Sequence, residues 1–284
     1  MIHLIGCGGF LGKSMCQYIK SNDRNDFIIY SSNRQQTTDN RQQTTDNRQQ
    51  TTIFLDIHNN KTWQNIKIQE DDKVIILSWR NLPNYNKVFH FTENLFAIFE
   101  FVCFCVDKGV REIAITGTCY EYGMQNGCLD EEVNSIPISC YAVAKDSLRR
   151  ILESYLSSRD VVLKWFRIFY PYGEFQNPNS LYPSLMNAIK SCEYSFKCSQ
   201  GDQIRDFIHV DECSLMMVEM IDSDSACGII NIGSGNPISI RDFLEKHISI
   251  NQSKIKLELG FYPRRKDEPL SFWADIGKYN RFLS

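Results

Sequence analysis

The first two-thirds of the chain alternates between short apolar runs and longer segments in which apolar residues recur at helical spacing. Ile2–Ile5, Phe27–Tyr30, Ile53–Leu55, Val74–Leu77, Ile113–Ile115 and Val161–Phe166 are compact apolar runs and predict buried strands. A glycine-rich turn after the first run leads into a helix through Ile19, and Tyr141–Leu156 predicts an amphipathic helix. Val88–Asp107 is apolar on every side and predicts a buried helix. Strands alternating with helices predict an α/β fold, a doubly wound parallel sheet with helices on both faces.

One stretch breaks this pattern. Residues 32–52 read Ser-Asn-Arg-Gln-Gln-Thr-Thr and then Asp-Asn-Arg-Gln-Gln-Thr-Thr twice. The repeated unit holds no apolar position, so it cannot form a coiled-coil seam. It predicts a polar loop between the second and third strands, an insertion of the kind loops absorb without acquiring a function.

Charge and cysteine usage narrow the classes that remain. With 31 basic and 34 acidic side chains the net charge is −3, which argues against a sequence-independent nucleic-acid binder. The longest apolar run, Leu95–Val106, has twelve residues and is interrupted by Glu100. It is too short to span a bilayer, and no basic and apolar leader precedes the first strand, so a cytoplasmic protein without a membrane partner is expected. The eleven cysteines are odd in number, contain no Cys-x-x-Cys and sit mostly in apolar runs. They read as small buried hydrophobes of a reducing compartment, and the five scattered histidines give no metal-ligand spacing.

The candidate chemistry begins at the first turn. Ile5-Gly6-Cys7-Gly8-Gly9-Phe10-Leu11-Gly12 sets glycines at 6, 9 and 12 between a strand and a helix. Gly6 and Gly9 would let the backbone approach a pyrophosphate, Gly12 would let helix and strand pack, and the helix N-terminus would supply N–H groups. The position of the motif, directly after the first strand, is what makes a dinucleotide cofactor its natural reading. An NAD site usually has a carboxylate at the end of the second strand; here stand Ser31, Ser32, Asn33 and Arg34. That set favours NADP(H), with NAD(H) possible. Asp56, after the third strand, is a candidate acceptor for the adenine amino group. Tyr141 and Lys145 stand four apart on one helix face; the spacing gains meaning from Thr116-Gly117-Thr118 after a strand and Pro137 just before the helix.

At this point the sequence resembles the extended short-chain dehydrogenases/reductases, the nucleotide-sugar epimerase, dehydratase and reductase group. The resemblance rests on Gly6-x-x-Gly9-x-x-Gly12, Asn94, Thr118-x-x-x-Tyr122-Gly123, Tyr141-x-x-x-Lys145 and Arg167-x-Phe169-x-Pro171-Tyr172-Gly173. It continues through Arg205-Asp206-Phe207-Ile208-His209-Val210-Asp211, Asn231-Ile232-Gly233-Ser234-Gly235 and Trp273-Ala274-Asp275. It implies a Rossmann-type cofactor domain over about 1–170 with a return near 207–235, and a smaller substrate lobe from about 171–206 and 236–284. It implies a homodimer through the helix 88–109 and the Tyr141 helix. Phe10, Leu11, Ile57, Ser78 and Asn94 would line the dinucleotide. Tyr141 would be the general acid/base at a sugar C4 oxygen, and Thr118 would hydrogen-bond the same oxygen. Lys145 would hold the nicotinamide ribose and lower the tyrosine's pKa. Tyr120 and Tyr170 would face the substrate; Tyr170 replaces an asparagine found in many members. Arg205, with Arg264 or Arg265, would hold the nucleotide phosphates, the plain alternative for Arg205 being a surface ion pair with Asp202 or Asp206.

The departures narrow the reaction. Family 4,6-dehydratases carry Asp-Glu directly after the catalytic threonine; here Cys119-Tyr120 stand there and Glu121 comes one position late, which disfavours dehydration. The missing carboxylate on the second strand sets the chain apart from epimerases that retain NAD. The reading is an NADPH-dependent reductase of a nucleotide-linked 4-keto-(6-deoxy) sugar, as in biosynthesis of a surface polysaccharide. The alternatives are an NAD-dependent 4-epimerase and, further off, a catalytically silent dinucleotide sensor. The chain stops soon after Asp275, which predicts a reduced substrate lobe without a final helical segment.

Overall fold

The computed structural model describes residues 1–33, 52–264 and 268–283. The expectations for most of the heptapeptide repeat, for Arg34 and for Arg265 fall outside the described residues.

Seven parallel strands form the central sheet: β1 (Ile2–Ile5), β2 (Phe27–Ser31), β3 (Thr52–Phe54), β4 (Lys73–Ile76), β5 (Glu112–Thr116), β6 (Val162–Ile168) and β7 (Gly228–Ile232). Their spatial order is β7-β6-β5-β4-β1-β2-β3, with Ile2 opposite Phe27 on one side and Lys73 on the other. The doubly wound α/β class expected from the alternation is the fold observed. Helices α1 (Phe10–Ser21), α2 (Phe96–Asp107), α3 (Cys140–Leu156) and α5 (Val210–Asp222) flank this sheet, while α4 (Leu181–Lys190) and α6 (Ile240–Ile250) lie away from it.

Each face of the sheet has its own core. On one, Met15, Ile19, Cys213, Met217 and Ile221 from α1 and α5 close over Leu4, Ile75 and Phe166. On the other, Ile98, Phe101, Val102, Leu148 and Leu152 from α2 and α3 close over Ile5, Val74, Ile76 and Ile115. Strands covered on both faces read as continuous apolar runs, which is why the runs were visible in the sequence.

Two expectations about helices need correction. The segment 88–107 is not one regular, fully buried helix: a π-helical turn, His90–Leu95, leads into α2. The sheet covers only the stripe Ile98, Phe101, Val102 and Cys105, leaving Phe96 58% exposed, because a helix lying on a sheet can bury one face. The chain also ends in a helix, α7 (Gly277–Leu283), whose Tyr279 is buried against the α1–α5 core.

Segments 171–206 and 236–274 build short strand pairs outside the sheet, such as Ile204–Asp206 with Pro237–Ser239 and Ser195–Lys197 with Lys256–Glu258. A small core of Leu185, Cys198 and Leu244 joins α4 and α6 there. The chain runs from β1 through β2 to β3 at one edge, then returns to β4 on the other side of β1. Such a switch point opens a crevice at the carboxyl ends of β1 and β4. Among the described residues no helix is long and apolar enough to cross a membrane.

Candidate active site

The glycine loop fills that crevice. β1 ends at Ile5, and Gly6 turns at φ +99°, a left-handed conformation that suits glycine. The N–H groups of Gly6 and Cys7 donate to the Tyr30 carbonyl at 3.2 and 3.1 Å, tying the turn to β2. A Cβ on Gly12 would stand 2.2 Å from the Gly6 carbonyl oxygen, so only glycine lets α1 sit this close to the turn. A Cβ on Gly9 would meet nothing nearer than 3.8 Å; its bare backbone opens onto a cavity of about 560 Å³ lined by Gly9, Phe10, Leu11 and Gly12. No side chain caps α1, which leaves its first N–H groups for an anion. These features fit a dinucleotide pyrophosphate. Gly12→Ala is accordingly expected to weaken dinucleotide binding at least about tenfold and to lower the melting temperature, read by fluorescence titration and thermal unfolding; unchanged affinity would sink this account of the loop.

The opposite wall of the same cavity carries Thr118, Tyr141 and Lys145. Thr118 ends the turn after β5 and caps the short 3-10 helix Cys119–Tyr122, its Oγ1 accepting from Tyr120 N at 3.3 Å. Ser139 caps α3, accepting from Ala142 N at 3.2 Å, which starts the helix so that Tyr141 and Lys145 stack one turn apart. Thr118 lies near enough to the Tyr141 phenol to oppose, as a minor influence, the rise in its pKa. Lys145 is 1% exposed; its Nζ donates to the Thr116 carbonyl at 2.6 Å and sits 4.1 Å from the centre of the Trp79 ring. Burial, then the nearby Tyr85 hydroxyl, hold the Tyr141 phenol well above its ordinary pKa. Burial also pushes Lys145 down to about 7, against the opposing pull of the Glu121 carboxylate. Desolvation leaves the phenol protonated, a proton donor.

A second cavity, about 700 Å³, adjoins the first through Tyr120, Tyr170, Pro171, Gln176 and Ser180, which line both. Its walls include Tyr172, Tyr182, Arg205, Phe207, Tyr262 and Glu268.

The sequence model of the NAD dependent epimerase/dehydratase family matches residues 2–233, from β1 to the end of β7. The chain belongs to that family. Among curated proteins it is 27% identical over 208 residues, 73% of this chain and 76% of the other, to a dTDP-6-deoxy-L-talose 4-dehydrogenase (NAD(+)) of Aggregatibacter actinomycetemcomitans. It is 23% identical over its whole length, and 93% of the other's, to a GDP-6-deoxy-D-talose 4-dehydrogenase of the same organism. Among solved structures, a UDP-glucuronic acid 4-epimerase from Bacillus cereus, in complex with UDP-glucuronic acid and NAD, superposes with a TM-score of 0.81. That pair is 22% identical and the match covers 100% of this chain and 93% of the other. The cofactor class of this family member is a nicotinamide dinucleotide, and its homologues act on nucleotide sugars.

Within this epimerase/dehydratase chain several residues do other work than the motifs suggest. Asn94 braces a loop: its Oδ1 accepts from Arg80 N at 3.2 Å and its Nδ2 donates to Arg80 O at 3.1 Å, and the π-helical turn is what points it inward. Asp56 pairs through Oδ1 with Arg80 at 2.6 Å. Ile57 is 3% exposed and belongs to the core. At Ser78 it is the backbone that meets the glycine loop, and its neighbours Leu77 and Trp79 line the cavity. Ser31 is buried and its Oγ accepts from Asn33 N at 3.1 Å, while Ser32 and Asn33 are exposed.

The arginines are also placed differently. Arg205 is 1% exposed, not on the surface, and pairs with Glu268 at 3.1 Å instead of Asp202 or Asp206. Its Nη1 donates to the Ile204 and Leu270 carbonyls at 2.8 and 3.3 Å, so most of its fork is spent inside the fold. Arg264 is exposed and paired with Asp202, outside the cavity wall. Trp79, Leu82, Pro83 and Tyr85 also wall the first cavity and were missed; an aromatic cluster directly after the Val74–Leu77 run was the signal available.

Proposed function

We propose that the protein is a cytosolic NADPH-dependent reductase of the C4 keto group of a nucleotide-linked 4-keto-6-deoxy sugar. The observation that carries this reading is the convergence of the glycine cradle with Thr118, Tyr141 and Lys145 on one cavity. The dinucleotide supplies hydride when bound. Thr118 Oγ1 and the Tyr141 hydroxyl hold the C4 oxygen, and Tyr141 gives its proton as negative charge develops there. A phenol held protonated by burial suits donation, the direction that reduction requires. The ammonium of Lys145 adds positive charge beneath the developing alkoxide. The nucleotide would extend into the second cavity beneath the aromatic wall of Tyr172, Tyr182 and Phe207. Support for the sugar class comes from the names of the two relatives, both 4-dehydrogenases of 6-deoxytaloses, whose reverse reaction is a 4-keto reduction. The exposed outer face of α2 suits packing of a second copy of the chain.

Preference for NADPH rests on the end of β2, where no carboxylate would repel a 2′-phosphate. Ser31→Asp is expected to weaken NADPH binding at least about tenfold while NADH binding stays within a few-fold, by like-charge repulsion. Equal loss for both would remove the argument. Identifying the dinucleotide released by denaturing purified protein separates the chemistries: a full complement of bound NAD favours a 4-epimerase, and weak binding with NADPH preferred over NADH favours the reductase.

A further inference from the structure

Resting on that reading of Thr118 and Tyr141, we propose that Glu121, clamped by Arg167, is a positioning residue: its carboxylate fixes the Thr118 turn and sets the charge behind Tyr141 and Lys145. Glu121 is 0% and Arg167 1% exposed, and Arg167 Nε meets Glu121 Oε2 at 2.8 Å. The same carboxylate accepts from Thr118 N at 2.9 Å and from Trp165 Nε1 at 3.0 and 3.1 Å. Three donors from the turn after β5 and from β6 thus converge on one side chain.

The packing leaves the turn little freedom. A Cβ on Gly117 would stand 2.2 Å from Trp165 Nε1 and 2.6 Å from Glu121 Oε1, so the network lies directly against the backbone that carries Thr118. An uncharged residue could cap so short a turn. Burying an ion pair instead costs several kcal/mol of desolvation, and an apolar pair would serve stability as well. What the pair adds is a fixed direction for the Thr118 backbone and a negative charge that Arg167, Thr118 N–H and Trp165 hold against burial, which pushes the carboxyl's pKa up.

That charge reaches the reacting groups. It favours the ammonium form of Lys145 and disfavours the phenolate of Tyr141. Tyr141 also faces Tyr85 and His90 from the segment after β4, and Thr118 and Cys119 from the turn. Lys145 faces His90 as well. Arg167 is the counter-charge from β6. Glu121→Gln removes the negative charge and keeps Arg167, so Lys145 and Tyr141 both lose their protons at lower pH.

For Glu121→Gln, kcat is expected to fall roughly 10- to 100-fold through misplacement of Thr118. The alkaline limb of its pH profile moves down by roughly one pH unit, while the KM for the nucleotide sugar and the Kd for NADPH hold within about threefold. Glu121→Asp keeps the charge but withdraws the carboxylate, so kcat falls and the limb stays. The double variant Glu121→Gln/Arg167→Met leaves no unpaired buried charge, folds stably by thermal unfolding, and still turns over slowly. Wild-type turnover with an unmoved limb in a folded Glu121→Gln or double variant overturns the proposal. Turnover surviving in Tyr141→Phe would instead overturn the reading of function beneath it.

Discussion

Replacing Tyr141 with phenylalanine is expected to lower kcat by about 10²- to 10⁴-fold, the usual contribution of a positioned proton donor. The fold should barely register the change. Tyr141 is 7% exposed and its ring packs among Trp79, Tyr85 and His90 at 5.4 to 5.8 Å, contacts that phenylalanine keeps. Its backbone N–H donates to Tyr85 O at 2.8 Å and is untouched. The melting temperature and the NADPH Kd should therefore match wild type within error while turnover collapses. Steady-state kinetics beside a fluorescence titration decides it: turnover within a few-fold of wild type removes Tyr141 from the mechanism.

Lys145→Met should show activity and stability moving in opposite directions. The lysine is buried and its pKa falls from 10.5 to about 7. Between those values the unfolded chain binds a proton that the folded chain does not, so this group makes stability rise with pH across that window. Below pH 7 both states are protonated and the folded state carries the full penalty, on the order of 4–5 kcal/mol. Methionine removes the penalty but leaves the Thr116 carbonyl without its 2.6 Å donor, a cost of about 1–3 kcal/mol. The variant should be more stable than wild type at pH 6, with the advantage fading as pH approaches 10, and turnover should be lost throughout. Denaturant unfolding at three pH values tests the sign; a constant difference between the two proteins would contradict it. In the wild type, the same titration should make turnover decline as pH rises above about 7.

How much of this was legible depended on how far apart the interacting residues lie. The six apolar runs, the first glycine turn and the Tyr141 helix were readable because their signals are periodicity and spacing within a few residues. The breadth of the family resemblance came from several short motifs in order, and the fold and family it implied are those observed. The side chain of Glu121 was read only as an acid displaced by one position, whereas its partner Arg167 is 46 residues away. The family resemblance implies Asn94 as a cofactor contact; its bonds to Arg80 reach 14 residues back along the chain. Arg205 was read as a free phosphate fork, and the Glu268 that occupies it stands 63 residues on.

By itself, then, the order of amino acids determined six of the seven sheet strands, though not β7 (Gly228–Ile232), together with the glycine cradle after β1 and the Tyr141–Lys145 stacking, because backbone sterics and local hydrophobic periodicity act over one or two turns. Tertiary structure alone decided which charges are spent inside the fold, that burial would keep Tyr141 protonated and drive Lys145 toward neutrality, and that Glu121 would face Arg167 beneath Thr118. The reason is physical: pairing and desolvation are set by the side chains that distant segments bring together, and nothing in the spacing of neighbours encodes them.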